Sequence, residues 1–327
     1  MSSKPSNLER ILELSPLSAS RFITANLPAA PLGARGTFGG TLIAQSLLAA
    51  LYTVPEDFEP TSLHSYFLNA GNPSIMINYH VQDLRHGRNF IHKQVKGYQH
   101  EKLIFTSVIL FSIKREHDSL HHLKTIETSK IPKIDDLREA GSIFEDKVLK
   151  RVSKCENSKG LPERSTFENH VDVFNLGVID YRFPDDIFYA KEKIKELTYY
   201  VNCRQPVTKE NKRDKYEKIT PYNDPRYNYV ALAYISDSYF LLTLPYFHRL
   251  PMYCHNFSVS LDHSIHFHQL PMVNDWLLFQ VQNPSSRSDK HLMEGEYFSS
   301  KTGEIVASIS QEGYVTYDSE DEIRAKF

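Results

Sequence analysis

Between Gly36 and Val54 the chain reads GTFGGTLIAQSLLAALYTV, with long apolar side chains interleaved with small ones and no proline before Pro55. A run that is apolar on almost every side of a 3.6-residue repeat predicts a mostly buried helix. The period then changes. SLHSYFLN, SIMINYHVQDLR, NFIHKQVKGYQ and EKLIFTSVILFSI read as strands, and Gly71-Asn72-Pro73, HGRN and GYQHEK separate them with turn chemistry. One buried helix followed by an antiparallel meander predicts a sheet wrapped around a helix.

The pattern returns in the second half. NYVALAYISDSYFLLTLP is an apolar segment holding one aspartate, Asp237, and SVSLDHSIHFH, DWLLFQVQNPS, KHLMEGEYFSS and GEIVASISQEGYV follow it. His64-Ser65 in LHSYFL is echoed by His263-Ser264 in LDHSIHFH. A repeat this long is no solenoid, so two copies of one domain are expected. The expected fold class is α+β. The first repeat spans 1–112, a charged linker or insert 113–166, and the second repeat with a C-terminal tail 167–327. Ile134 to Lys150 has helical character inside the insert. KENKRDKYEK, from Lys209 to Lys218, reads as a solvated loop.

Composition narrows the function classes. A chain of 327 residues suits two domains, and 41% hydrophobic with 24% charged residues is an ordinary globular balance. A net charge of -2 argues against nucleic acid as a general partner. Cys155, Cys203 and Cys254 are too few and too scattered for a disulfide framework or a zinc site, which fits a reducing compartment. No apolar run is read as approaching the roughly 18 residues of a membrane span. MSSKPSNLER lacks the apolar core of a secretory signal. The chain closes on Ala325-Lys326-Phe327, which resembles the Ser-Lys-Leu peroxisomal address with departures at its first and third positions.

Ser258 to His268, SVSLDHSIHFH, concentrates candidate chemistry. In a strand, His266 and His268 share one face and His263 takes the other, yet no third metal ligand can be identified. A serine hydrolase would need Gly-x-Ser-x-Gly at a strand–turn–helix junction, a pentapeptide the chain does not contain. Neither a metal site nor a nucleophile elbow is therefore the favoured reading.

GTFGGTLIAQSLLAA, LHSYFLNAGNPSIMINYHVQDLRHGRNF, ALAYISD, SLDHSIHFH and GEIVASISQEG together resemble the acyl-CoA thioesterase II (TesB-like) family, most of all its yeast peroxisomal members. The resemblance covers both repeats and implies a double hotdog, two tandem units in which a curled antiparallel sheet wraps a long helix. It implies hydrolysis of acyl-CoA to free fatty acid and CoA, with Asp237, Ser260 and Gln311 as catalytic residues and no metal or other cofactor. It leaves the histidines of the SVSLDHSIHFH stretch largely structural. Family members carry Trp where this chain has His266, and often Arg-Pro where it has Gln269-Leu270. By the same resemblance the expected partners are acyl-CoA, a peroxisomal import receptor reading Ala325-Lys326-Phe327, and further copies of the chain in a homo-oligomer. The expected location is the peroxisomal matrix.

The residue types suit that chemistry. A thiol leaves easily, so the reaction needs a placed water, a base and an oxyanion partner rather than a strong acid. Asp237 can be the base, with burial raising its pKa. Gln311 and Ser260 can each donate and accept. Amides near Gly39 and Gly40, at a helix start, are candidate oxyanion donors. Two other readings are a non-catalytic acyl-CoA-binding hotdog protein and a hotdog enoyl-CoA hydratase. The hydratase's Gly-Asp-x-Asn-Pro core is absent, with only AGNPS as a fragment.

Overall fold

The expected buried helix forms over Gly39–Leu51 (α2), and from Gly40 to Leu51 every residue is buried. Each fully buried Leu or Ile contributes about 1.5–3 kcal/mol relative to exposure, which is why the sheet closes on this helix. A short helix, Asn7–Leu12 (α1), precedes it, followed by strands Leu14–Ser18 (β1) and Arg21–Thr24 (β2). After α2 come Phe58–Phe67 (β3), Asn78–His86 (β4), Phe90–Gln99 (β5) and Lys102–Ile113 (β6). Burial along β5 alternates strictly, with Ile91, Lys93, Val95, Gly97 and Gln99 facing inward, as a strand with one covered face requires. This computed structural model describes residues 7–31, 34, 36–114, 120–127, 129, 131–150, 164–190, 192–214 and 217–318. The tail residues Ala325, Lys326 and Phe327 lie outside them.

The second half repeats the plan. Arg138–Glu139 (β7), Ala140–Phe144 (α3), Arg164–Leu176 (α4), Ile179–Phe183 (β8) and Glu196–Cys203 (β9) lead to the core helix Tyr227–Ser236 (α5). His255–Ser260 (β10), Asp262–Phe267 (β11), Leu277–Arg287 (β12), Lys290–Ser299 (β13) and Ile305–Tyr317 (β14) complete it. Among the described residues one sheet runs β1-β2-β4-β5-β6-β3-β11-β14-β13-β12-β9-β8-β7, with β10 also on β14. The halves join where β3 pairs antiparallel with β11: Ser65 lies opposite His263 and His64 opposite Ser264. The two His-Ser pairs that echo one another in sequence are therefore cross-strand neighbours at the seam. On the inner side α2 packs against α5.

Two features depart from the hydrophobic pattern. Tyr227–Phe247 is 21 residues long and apolar enough to cross a membrane by length and composition, so the expectation that no run approaches that length is corrected. In the protein 78% of its most apolar 18 residues are buried, as in a core helix. Its helix breaks at Asp237, and Tyr239 takes a left-handed φ of 58° before the chain turns helical again at Leu241–Thr243 and Leu244–Phe247. The charged stretch between the halves also carries order. Leu123, Ile126, Ile131, Ile134 and Leu137 pack over Tyr200, Leu278, Phe298 and Ile305, a small second core on the far face of the sheet.

Candidate active site

Helix α2 begins without a side-chain cap: Phe38 occupies the N-cap position and makes no capping hydrogen bond. The first amides of a helix have no intrahelical acceptor. Here the acceptor comes from the other repeat, as Gly40 N–H donates to Asp237 Oδ2 at 2.8 Å. The close approach requires glycine. A Cβ on Gly39 would lie 2.7 Å from Asp237 Oδ2, and one on Gly40 would lie 2.5 Å from the Tyr234 carbonyl oxygen. Asp237 itself ends α5, so its carboxylate sits where one helix stops and another starts.

Gln311 of β14 is fully buried and reaches the same carboxylate. Its Nε2 donates to Asp237 Oδ1 at 3.1 Å and to Ser260 Oγ at 2.5 Å. Ser260 is the last residue of β10, and the strand expected to run unbroken through SVSLDHSIHFH is interrupted there. Leu261 N–H donates to the Glu312 carbonyl, and Phe67 N–H to the Leu261 carbonyl. Asp262, the aspartate of that stretch, accepts the Glu312 amide at 2.7 Å and is tied up in the backbone. Asp237, Ser260 and Gln311 thus meet, although 51 positions separate Ser260 from Gln311 and 74 separate Asp237 from it.

Burial raises the Asp237 pKa to about 6, against the pull of the hydrogen bonds from Gln311 and Gly40. The residue keeps a margin of exposed surface while protein packs its carboxyl group. A carboxylate that is largely ionised at neutral pH yet more basic than an exposed one suits a general base. The Gly40 amide, expected as an oxyanion donor, spends its single hydrogen on Asp237. Gly39 stands beside it at the helix start.

The histidines divide by face. His266 and His268 are exposed; His268 Nε2 lies 2.8 Å from Ser308 Oγ, and His266 sits edge-on to His64 with ring centroids 5.3 Å apart. His263 is fully buried, with Nδ1 3.1 Å from Gln311 Oε1 and Nε2 2.9 Å from Ser236 Oγ. Sequence reasoning passed over Ser236 and left His263 without a partner. The available signal was position: His263 alternates with the inward Ile265 and Phe267, and a histidine on such a face needs hydrogen-bond partners. Among the described residues no group of three His, Cys, Asp or Glu side chains is arranged to hold a metal ion.

An acyl-CoA thioesterase family model matches residues 205–314, the span containing Asp237, Ser260 and Gln311. A model of the acyl-CoA thioesterase N-terminal domain matches residues 28–112, which include Gly39 and Gly40. Peroxisomal acyl-coenzyme A thioester hydrolase 1 of Saccharomyces cerevisiae is 54% identical, with 98% of each chain covered. The crystal structure of acyl-CoA thioesterase II TesB2 from Mycobacterium marinum matches with a TM-score of 0.68 and 25% identity, over 95% of this chain and 99% of that one. A hot dog fold protein from Alicyclobacillus acidocaldarius, 14% identical, gives a TM-score of 0.65 over 96% and 100% of the two chains and shows the fold alone. The tandem helix-in-sheet units described above are thus a double hotdog.

Proposed function

The chain belongs to the acyl-CoA thioesterase family and hydrolyses acyl-CoA to free fatty acid and CoA; from that premise we propose that water attacks the thioester directly, activated by Asp237, Gln311 and Ser260. The observation that carries this reading is the Gln311 amide donating at once to Asp237 and Ser260. With both N–H groups of Gln311 engaged, the Ser260 hydroxyl keeps its own hydrogen for the water or the thioester carbonyl. Asp237 takes a proton from the water as the water oxygen bonds to the carbonyl carbon. The tetrahedral intermediate then expels sulfur, breaking the C–S bond. The proton on Asp237 passes to the departing thiolate, whose thiol pKa, about 8.5 for a free cysteine, makes it a ready leaving group. Negative charge on the former carbonyl oxygen is met by the Ser260 O–H and by the Gly39 amide at the start of α2. Gly40 holds the base in place.

Purified protein should release CoA thiol from acyl-CoA in step with fatty acid, followed with a thiol reagent. Binding without thiol release would leave an acyl-CoA-binding protein. Hydration of an enoyl-CoA with the thioester intact would make it a hydratase. The protein is also proposed to work in the peroxisomal matrix, with an import receptor reading Ala325-Lys326-Phe327. The peroxisomal name of the 54% identical yeast relative supports that reading.

A further inference from the structure

The Gln311 amide is held from a third side, and this contact does something that Asp237 cannot do alone. The two ends of a glutamine amide have nearly the same shape, so only hydrogen bonds decide which way it faces. While Asp237 is ionised it accepts only, and it draws Gln311 Nε2 toward itself. Once Asp237 has taken the proton of the attacking water, it carries a donor of its own. A flipped amide, oxygen toward Asp237, then becomes competitive. The flip would strip Ser260 of its donor in mid-reaction.

His263 opposes the flip. Gln311 Oε1 lies 3.1 Å from His263 Nδ1, and an amide oxygen accepts only, so Nδ1 carries the hydrogen. Burial lowers the His263 pKa to about 4, so the ring is neutral in the working range and holds one N–H. Its Nε2 must then accept, and Ser236 Oγ stands 2.9 Å away to donate. Ser236 Oγ also donates to the Ala233 carbonyl at 3.0 Å, so its one hydrogen is shared between that carbonyl and His263 Nε2. If the hydroxyl turned wholly to that carbonyl, only the Gln311 amide oxygen would favour the Nδ1–H tautomer. His263, Ser236 and Gln311 are all fully buried, so water does not compete for these bonds.

We propose that His263, with Ser236 selecting its tautomer, is a positioning residue that locks the Gln311 amide with nitrogen toward Asp237 and Ser260 throughout turnover. This rests on the water-attack reading above. His263→Asn places an N–H near the former Nδ1, His263→Gln carries its amide toward Ser236 instead, and His263→Leu fills the space with no donor. A misplaced catalytic group costs about a hundredfold. The kcat of His263→Leu should therefore fall about that far while KM stays within about twofold, His263→Asn should recover at least about tenfold of the loss, and His263→Gln should not. Wild-type kcat in His263→Leu, or equal impairment of Asn and Gln, overturns the lock. Should the Leu variant not fold, the Asn and Gln pair decides alone. Asp237→Asn is measured alongside. If it stays fully active, the site reading falls and the lock with it; if it is inactive while His263→Leu is fully active, only the lock falls.

Discussion

Ser260 shows how one side chain can be read two ways until its neighbours are counted. A serine near a carboxylate suggests a nucleophile, yet the residue bonded to it is an amide that donates, not a base that could take its proton. Gln311 has no basic nitrogen, and on the proposed mechanism Ser260 orients rather than attacks. Ser260→Ala should therefore lose about 10²–10³-fold in kcat, as removal of one transition-state donor does. Ser260→Thr should keep much of the activity because the hydroxyl persists. Intact-mass spectra taken during turnover should show no acylated protein; an acyl adduct on Ser260 would convert the mechanism to covalent catalysis. Taken singly, Asp237, Ser260 and Gln311 were each as readable as structural residues, and the family motifs singled them out. His263 escaped because its partner lies 48 positions away and no local period connects them.

At the scale of elements, the site is made by interruptions. Helix α5 stops at Ser236, and the left-handed Tyr239 turns the chain, so an aspartate expected within an apolar segment becomes a terminal residue facing another helix. Hydrophobic patterning shows that Tyr227–Phe247 is buried but not where it breaks, because both sides of the break are apolar. The break between β10 and β11 is hidden for the same reason: each piece reads as strand. The extents of α2, β5 and β6, by contrast, follow closely from where the apolar runs meet turn residues. The lead into α5 is anchored by a buried ion pair. Arg226 grips Asp224 through Nε and Nη2, and its Nη1 donates to the carbonyls of Pro55 and Phe58 in the first repeat. Arg226→Ala would leave the buried Asp224 with the Arg213 guanidinium, whose Nε is 3.4 Å away, and the backbone N–H of position 226. The expected cost is about 3–5 kcal/mol, seen as a lowered midpoint in denaturant. A loss below about 1 kcal/mol would show that Arg213 takes over.

Across the whole molecule, the duplication was legible because each repeat carries its own helix-and-strands pattern. The seam was not, since a strand edge presents the same N–H and C=O groups to any partner. That seam unites the site: the proposed base belongs to the second repeat and the amide that holds it to the first. The tail has a separate part to play. Deleting Ala325 to Phe327 should move an N-terminally tagged protein from peroxisomes to cytosol without altering hydrolysis in vitro. An unchanged peroxisomal pattern would place the address elsewhere or in a partner. The central claim, that Asp237 is the base and that burial between the repeats sets its pKa, is tested most directly by kcat/KM against pH from about 4.5 to 8.5, which reports ionisations of the free enzyme. The predicted profile climbs about tenfold per pH unit below about 6 and is level above it, and the residual activity of folded Asp237→Asn lacks that limb. A wild-type profile flat through pH 6, or one whose limb survives in Asp237→Asn, would contradict it.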